Sequence, residues 1–502
     1  MPGGESVAGE GSLVSVYDVV IRGGRVVDPA TGVDEVREVG ITGGTIGALS
    51  PGELEGRTVL DARGHVVAPG FVDLHSHCDD IPGMRLQVLD GVTTALELEI
   101  GRYPVAAAYA RAAIDGRPVN YGFATSWGAA RFEVLAGVRG TGRLQDVFAA
   151  MNVEVWQQET TPARVERIVA RVEGDLAAGA LGVGIPIGYA PAVAPAEYVA
   201  LAAAAVRAGR PAYTHARDLV EQDPGVLIDG AEEIVRTAGE TGAHMHYCHV
   251  NSTSGRHLDR VHATITRAQA AGSRVTTEAY PYGSGMTGIG ASFLAPELLH
   301  RRGLTPSSIQ HVASGRRMAD AAELRRMRGE HGSDLAFVHF LDESEATARE
   351  LLDRAILFGD TAVASDAMEP VWRTTSRNSL AWPLPGDVSG HPRTAGTYGR
   401  TLRTLVRETG AMSLPEAIRR CSTVPARIAA TGVPALARKG SLRPGADADV
   451  VVFDPETVTD NATYRETTRP STGFVHVLVN GIPVVRDGVL DPTVLPGRPV
   501  RA

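Results

Sequence analysis

Residues 70–80 read GFVDLHSHCDD, an apolar run that ends on His75 and His77. Side chains two apart on a strand share a face, so the two imidazoles point the same way. At the carboxyl end of a barrel strand that face looks into the mouth of the barrel. Imidazole is a favoured ligand for zinc and similar divalent ions. By itself the pair is equally compatible with two polar residues at a strand end.

Outward from this stretch, the chain alternates strand-like and helix-like segments. After GFVDLHSH the strand candidates are TTALELEI, NYGFATSW, LGVGIPIG, PAYTHARD, AHMHYCHV, RVTTEAYPY and TAVASDAM. Helix candidates lie between them, among them PAEYVALAAAAVRAG, which Pro195 opens and Gly209 ends. Eight strand–helix units over roughly 350 residues is the count of an α/β fold of the (β/α)8 TIM-like kind. A doubly wound open sheet would carry a Gly-rich phosphate loop after its first strand, and none follows here. The barrel is expected over 69–431. Within it, 283–358 exceeds what one connection needs and carries basic helical pieces, so it reads as an inserted subdomain or lid over the site. Residues 14–68 and 432–502 are short β-like runs broken by Gly-Gly, Asp-Pro and Arg-Gly, which suggests hairpins in one small β-sandwich built from both ends. Residues 1–13 read as a flexible tail.

Composition sets the outer bounds. With 502 residues, 43% hydrophobic and 21% charged, the chain buries a sizeable core. No run of about 18 apolar residues marks a membrane span. A net charge of −9 argues against a nucleic-acid partner. The first 20 residues lack the basic and apolar regions of a secretory signal. Three scattered cysteines, Cys78, Cys248 and Cys421, make no disulfide framework, and a cytoplasmic location follows as the expectation. Self-association into a homo-oligomer is left open. Lys439 is the only lysine.

Further candidates sit at other strand ends. His215 ends PAYTH and His249 ends AHMHYCH, each able to ligate a metal; His244 and His246 are as readily buried, hydrogen-bonded histidines. Asp366, in AVASDAMEP, is either a helix cap or a carboxylate that binds metal and takes a proton from water. Cys78 and Cys248 adjoin these positions and read as small buried side chains, with ligation of a soft metal the alternative. No serine nucleophile motif of the Gly-x-Ser-x-Gly kind occurs.

The succession GFVDLHSH, YTH, CH and SD resembles the amidohydrolase superfamily, and within it the N-acyl-D-amino-acid deacylases, or D-aminoacylases. The matching pieces are GVTTALELEIG, THARD, EAYPYGSG, ASDAMEP followed by GHPRTAGTYGR, and the tail LRPGADADVVVFDP with HVLVNGIPVVRDG. The resemblance implies one metal site of His75, His77 and Asp366 and another of His215 and His249, holding one or two Zn2+ ions. It implies that Arg393 and Tyr282 hold a free substrate carboxylate, and that Asp366 is the general base and acid of amide hydrolysis by metal-activated water. A cyclic amide hydrolase of the hydantoinase or dihydroorotase kind, a specialised biosynthetic amidohydrolase, and a non-catalytic scaffold are the alternatives. Many members bridge two metals with a carbamylated lysine, but Lys439 lies outside the barrel. D-Aminoacylases use a cysteine after the second strand, where an ungapped match puts Ile100. The segment offers Glu97 and Glu99 instead, two acids on one face of an apolar strand, costly unless paired or bound to metal. Glu99, nearer the strand end, is the expected bridge, with Glu97 the alternative; a Glu–Arg pair with Arg102 is the structural reading. Asn251 stands near the place of a family lysine and is a further candidate substrate contact.

Overall fold

The computed structural model describes residues 16–151, 153–373 and 381–502; the expected tail, 1–13, lies outside them. Eight parallel strands form the central sheet: β1 (Phe71–Asp73), β2 (Val92–Arg102), β3 (Asn120–Ser126), β4 (Val183–Ile185), β5 (Ala212–Thr214), β6 (Met245–Tyr247), β7 (Val275–Ala279) and β8 (Ala362–Val363). They lie in chain order, and each coincides with one of the eight strand candidates read from the sequence, β2 running beyond TTALELEI at both ends. The circle closes just past the ends of β1 and β8. There Ser76 bridges Ala367 in parallel, and the His77 amide donates to the Ala367 carbonyl at 2.8 Å. Asp73 tightens the seam by accepting the amides of Ser365 at 3.0 Å and His75 at 3.1 Å. The result is a (β/α)8 barrel.

Local signals explain the helices between the strands. Pro195 starts the helix Pro195–Ala208 and Gly209 ends it with left-handed φ. Asp229 caps Gly230–Thr241 by accepting the amides of Ala231 and Glu232. All eleven residues of β2 are buried. Its Leu96 and Leu98 join Val72, Leu74 and the helix Val424–Ala429 in one apolar cluster, each fully buried leucine contributing about 1.5–3 kcal/mol. Period-2 geometry then assigns Glu97 and Glu99 to the opposite face.

Strands from both ends of the chain build a second, nine-stranded sheet. Asp28–Val33 and Thr42–Thr45 close hairpins there. The Arg22-Gly23-Gly24 run does not turn the chain. It is a register shift inside one long strand, Val16–Asp28, where a Cβ on Gly24 would come within 2.4 Å of Val67. Between β7 and β8 the chain makes a separate antiparallel sheet of Ser284–Gly288, Leu335–His339 and Ile309–His311, with Leu335–His339 in the middle. Among the described residues, no helix is long and apolar enough to cross a membrane.

Lys439 holds the nine-stranded sheet to the barrel. Its buried ammonium lies 2.7 Å from Asp449 and 3.0 Å from Asp447. Asp449 in turn accepts from Asn120, at the start of β3, at 2.9 Å, and from the Asn480 amide at 2.8 Å. Removing the cation strands a buried carboxylate. Lys439→Met is therefore expected to cost about 3–5 kcal/mol of unfolding free energy. Chemical denaturation checks this, and an unchanged midpoint would refute the role.

Candidate metal centre

Five strand ends bring six ionisable side chains together over the barrel mouth. His75 Nε2 and His77 Nε2 lie 3.1 Å apart. Glu99 Oε2 is 3.2 Å from the first and 3.3 Å from the second. Asp366 Oδ1 is 3.2 Å from His77 Nε2 and 3.5 Å from His75 Nε2. The other Glu99 oxygen, Oε1, sits 2.9 Å from His215 Nδ1 and 2.8 Å from His249 Nε2. One carboxylate thus divides its two oxygens between two histidine pairs. The ligand atoms of His75, His77 and Glu99 all fall within 4.8 Å of one another, as do those of Glu99, His215 and His249.

The backbone is shaped to bring these groups in. His249 and Asp366 have φ of 35° and 50°, a sparsely populated region that the closed barrel imposes on them. In β2 the pairing with β3 jumps from Glu97 to Arg102, a bulge that turns Glu99 out of the ladder. Gly101 permits it with φ +71°, where a Cβ would meet the Thr125 carbonyl at 2.6 Å.

The rear nitrogens of His75, His77 and His249 are held. His77 Nδ1 donates to Glu97 Oε2 at 2.8 Å, and Arg102 donates to the same oxygen at 2.8 Å. Glu97 Oε1 accepts the Ile100 and Gly101 amides, both at 3.2 Å. Glu97 therefore has both oxygens engaged behind His77, and the Glu–Arg pair with Arg102 coexists with the Glu99 bridge geometry. His75 Nδ1 donates to Glu278, whose second oxygen takes His246 Nε2 at 3.0 Å. His249 Nδ1 faces Ser252 Oγ at 3.1 Å. A carboxylate behind an imidazole fixes the tautomer and leaves the front nitrogen its lone pair. Four imidazoles and two carboxylates converging with lone pairs forward make a donor set that fits zinc.

Electrostatics says the same. Burial would raise the Glu99 carboxyl, but His75, His249 and His215 hold it well below the usual range. Burial opposes ionisation of Asp366 too, and Arg393 with His75 outweighs it. Burial would lower His77, yet Glu97 and Asp366 push it up to about 10. His215 is lowered by burial, which exceeds the pull of Glu99. Without a cation, the His75–His77 side of the cluster keeps its protons at neutral pH.

A cavity of about 160 Å³ opens onto this cluster, lined by His77, Glu99, His215, His249, Tyr280 and Asp366 from the barrel, and by Gly285, Met286, Phe293 and Phe340 from the 283–358 stretch. Beside it lies Arg393, fully buried. Its Nε donates to the Asp366 carbonyl at 2.6 Å, and Nη2 stands 2.9 Å from Asp366 Oδ2 without an aligned hydrogen bond. Nη1 has no hydrogen-bond partner among the described residues. The guanidinium lies 4.8 Å over the Tyr280 ring. A Cβ on Gly285 would stand 3.4 Å from Tyr280 Oη and 3.5 Å from Arg393 Nη1, so the glycine leaves a crevice between them.

Two residues stand elsewhere than the sequence suggested. Tyr282 is not among the residues lining the cavity; it is buried away from it, its ring packed 4.4 Å beneath Arg400, just before the strand Ser284–Gly288 begins. Tyr280, two residues earlier, faces the cavity instead. Asn251 is spent on Tyr280, its Nδ2 donating to that carbonyl at 3.1 Å and its Oδ1 accepting that amide at 3.4 Å. Glu278 was missed, though the argument that singled out Glu97 and Glu99, an acid in an apolar strand, applies to it equally.

A (β/α)8 barrel carrying a histidine–carboxylate centre at its mouth defines a metal-dependent hydrolase. The chain belongs to the amidohydrolase family, whose model matches residues 58–485. It is 30% identical to the N-acyl-D-glutamate deacylase of Alcaligenes xylosoxydans xylosoxydans, with 96% of each chain covered. To the N-acyl-D-aspartate deacylase of the same organism it is 30% identical, over 92% of this chain and 91% of that one. A solved structure of N-acyl-D-glutamate deacylase from Bordetella bronchiseptica, complexed with zinc and a phosphonate mimic of the tetrahedral intermediate, is 25% identical. It matches with a TM-score of 0.74 and covers 97% of this chain and 100% of that one.

Because the imidazoles must lose their protons to bind a cation, zinc affinity is expected to rise with pH between 6 and 8 and binding to release at least about one proton. Calorimetry in buffers of different ionisation enthalpy measures this. Uptake without proton release would contradict the electrostatic account.

Proposed function

We propose that the chain is a zinc-dependent amidohydrolase that cleaves the amide of an N-acyl-D-amino acid into a carboxylic acid and the free amino acid. The observation that carries this reading is the crevice between Tyr280 and Arg393, beside Asp366. A fully buried guanidinium with Nη1 unpartnered invites a planar anion, and a free carboxylate matches its fork. An N-acyl amino acid presents that carboxylate a few bonds from its amide. A simple hydantoin or dihydropyrimidine ring has none, which favours the acyclic substrate over those rings; a carboxylated ring such as dihydroorotate is set apart by the relatives alone. The named activities of the relatives point the same way.

His75, His77, Glu99 and Asp366 would hold one zinc ion, and Glu99, His215 and His249 a second. Zinc bound there supplies Lewis acidity towards an amide carbonyl and towards water. The chain's own residues do the rest. Arg393 Nη1 and Tyr280 Oη bind the carboxylate and orient the amide over the cluster. Asp366 Oδ1, kept ionised by Arg393 and His75, takes the proton of the attacking water. It then hands that proton to the amide nitrogen, which is a poor leaving group until protonated. Phe293, Phe340 and Met286 exclude solvent from the far wall. The three cysteines are unpaired and buried, in keeping with a reducing cytoplasm, which we propose as the compartment.

Zinc-loaded protein assayed against N-acetyl-D- and L-amino acids, hydantoins and dihydropyrimidines is expected to release free D-amino acid with acetate. Ring opening alone would overturn the reading in favour of a cyclic amidase. Asp366→Asn is expected to lower kcat by about 10²–10⁴-fold, with zinc content, measured by elemental analysis, largely kept. Near-native turnover would remove Asp366 from the proton path. Gly285→Ala places a methyl in the crevice at ordinary contact distances. It is expected to raise KM by about 10–100-fold, the worth of a charge-assisted hydrogen bond. An unchanged KM would place the substrate carboxylate elsewhere.

A further inference from the structure

Behind the Arg393 crevice, a run of polar side chains crosses from the barrel to the 283–358 stretch and on to the C-terminal segment. None of its members, His391, Ser284, Tyr464 and Glu343, is among the residues lining the cavity. The Arg393 amide donates to His391 Nδ1 at 3.1 Å. A backbone amide can only donate, so Nδ1 carries a lone pair and the ring proton sits on Nε2. That nitrogen lies 2.8 Å from Ser284 Oγ and donates to it. The Ser284 hydroxyl donates to Tyr464 Oη at 2.7 Å, and Tyr464 donates to Glu343 Oε1 at 2.9 Å. Glu343 also accepts the Gly283 amide at 2.7 Å and pairs with Arg400.

Every proton in this series points one way, from the Arg393 backbone to the Glu343 carboxylate. The direction cannot reverse without setting an N–H of His391 against the N–H of Arg393. His391 and Ser284 are both fully buried, so water does not compete for these bonds. Burial, with Arg393, His339 and Arg400 nearby, holds the His391 ring well below its ordinary pKa, which keeps it neutral.

The two linked positions both border the crevice. Arg393 forms one of its sides. Gly285, the neighbour of Ser284 on the strand Ser284–Gly288, faces the opening between Arg393 and Tyr280 and leaves it free. We infer that His391 is a positioning residue: its neutral, Nε2-protonated ring sets the gap between Arg393 and Gly285, and through that gap the affinity for a substrate's free carboxylate. The inference rests on the reading above that this crevice takes that carboxylate. It assigns a function to His391 and Ser284 that touches no ligand of the metal centre.

The test uses zinc-loaded full-length protein, two substrates and two variants. The substrates are an N-acetyl-D-amino acid and the same compound with its carboxylate converted to a primary amide. His391→Asn keeps an oxygen for the Arg393 amide but is too short to reach Ser284; Ser284→Ala removes the middle of the series. Both are expected to raise KM for the carboxylate substrate by about tenfold, with kcat and zinc content nearly unchanged and the uncharged analogue handled as before. A parallel loss on both substrates, or no change on either, overturns the inference and leaves a merely structural contact. A wild-type protein that does not prefer the carboxylate substrate overturns the crevice reading and this inference together. Should either variant fail to fold, nitrogen-15 NMR of histidine-labelled wild type decides the tautomer. A neutral His391 protonated on Nε2 is the expected state, and a ring protonated on Nδ1 overturns the inference.

Discussion

The sharing of Glu99 between two histidine pairs is the constraint on which the rest of the structure depends. A buried carboxylate in an apolar strand is expensive, and four imidazoles are what offset it. The imidazoles come from three strand ends and the carboxylate from a fourth, so four strand ends have to hold their places to a fraction of an ångström. The bulge in β2, the positive φ of His249 and Asp366, and the Asp73 seam between β1 and β8 are the local distortions that this convergence demands. None of them would be stable in an isolated strand. They persist because the surrounding barrel determines them.

Behind that centre lies a layer of charges that never meets the cavity directly. Glu97 with Arg102 backs His77, and Glu278 with His246 backs His75. Each acid fixes the ring it touches and thereby decides which nitrogen faces forward. A chain with one lysine has arginine for nearly all such work. Arg102 shows why that suits the site: it reaches Glu97, Asp79 and the His77 carbonyl at once, three acceptors that a single ammonium could not span in this geometry.

Much of this was legible in the sequence. All eight barrel strands could be read from short apolar runs ending in polar residues, and His75, His77, His215, His249 and Asp366 stood out as polar groups at their carboxyl ends. Glu99 was legible because an acid is conspicuous in TTALELEI. What periodicity cannot convey is direction after a bend. Tyr280 and Tyr282 are equivalent by spacing, yet one faces the cavity and the other lies beneath Arg400. The Gly23-Gly24 bulge was opaque for a related reason: a glycine pair looks the same whether the chain reverses or merely shifts register. The Ser284–His391–Tyr464 series spans 180 positions and has no local signature at all.

The cavity divides into walls of separate origin. The reactive floor comes from barrel strand ends, whereas Met286, Thr287, Phe293 and Phe340 come from the stretch between β7 and β8. These walls come from separate stretches of sequence, so they can drift at different rates. Replacements in the outer wall would alter which acyl group or amino acid fits while the ion-binding groups stay as they are. Such a molecule is free to diversify its diet without reinventing its chemistry.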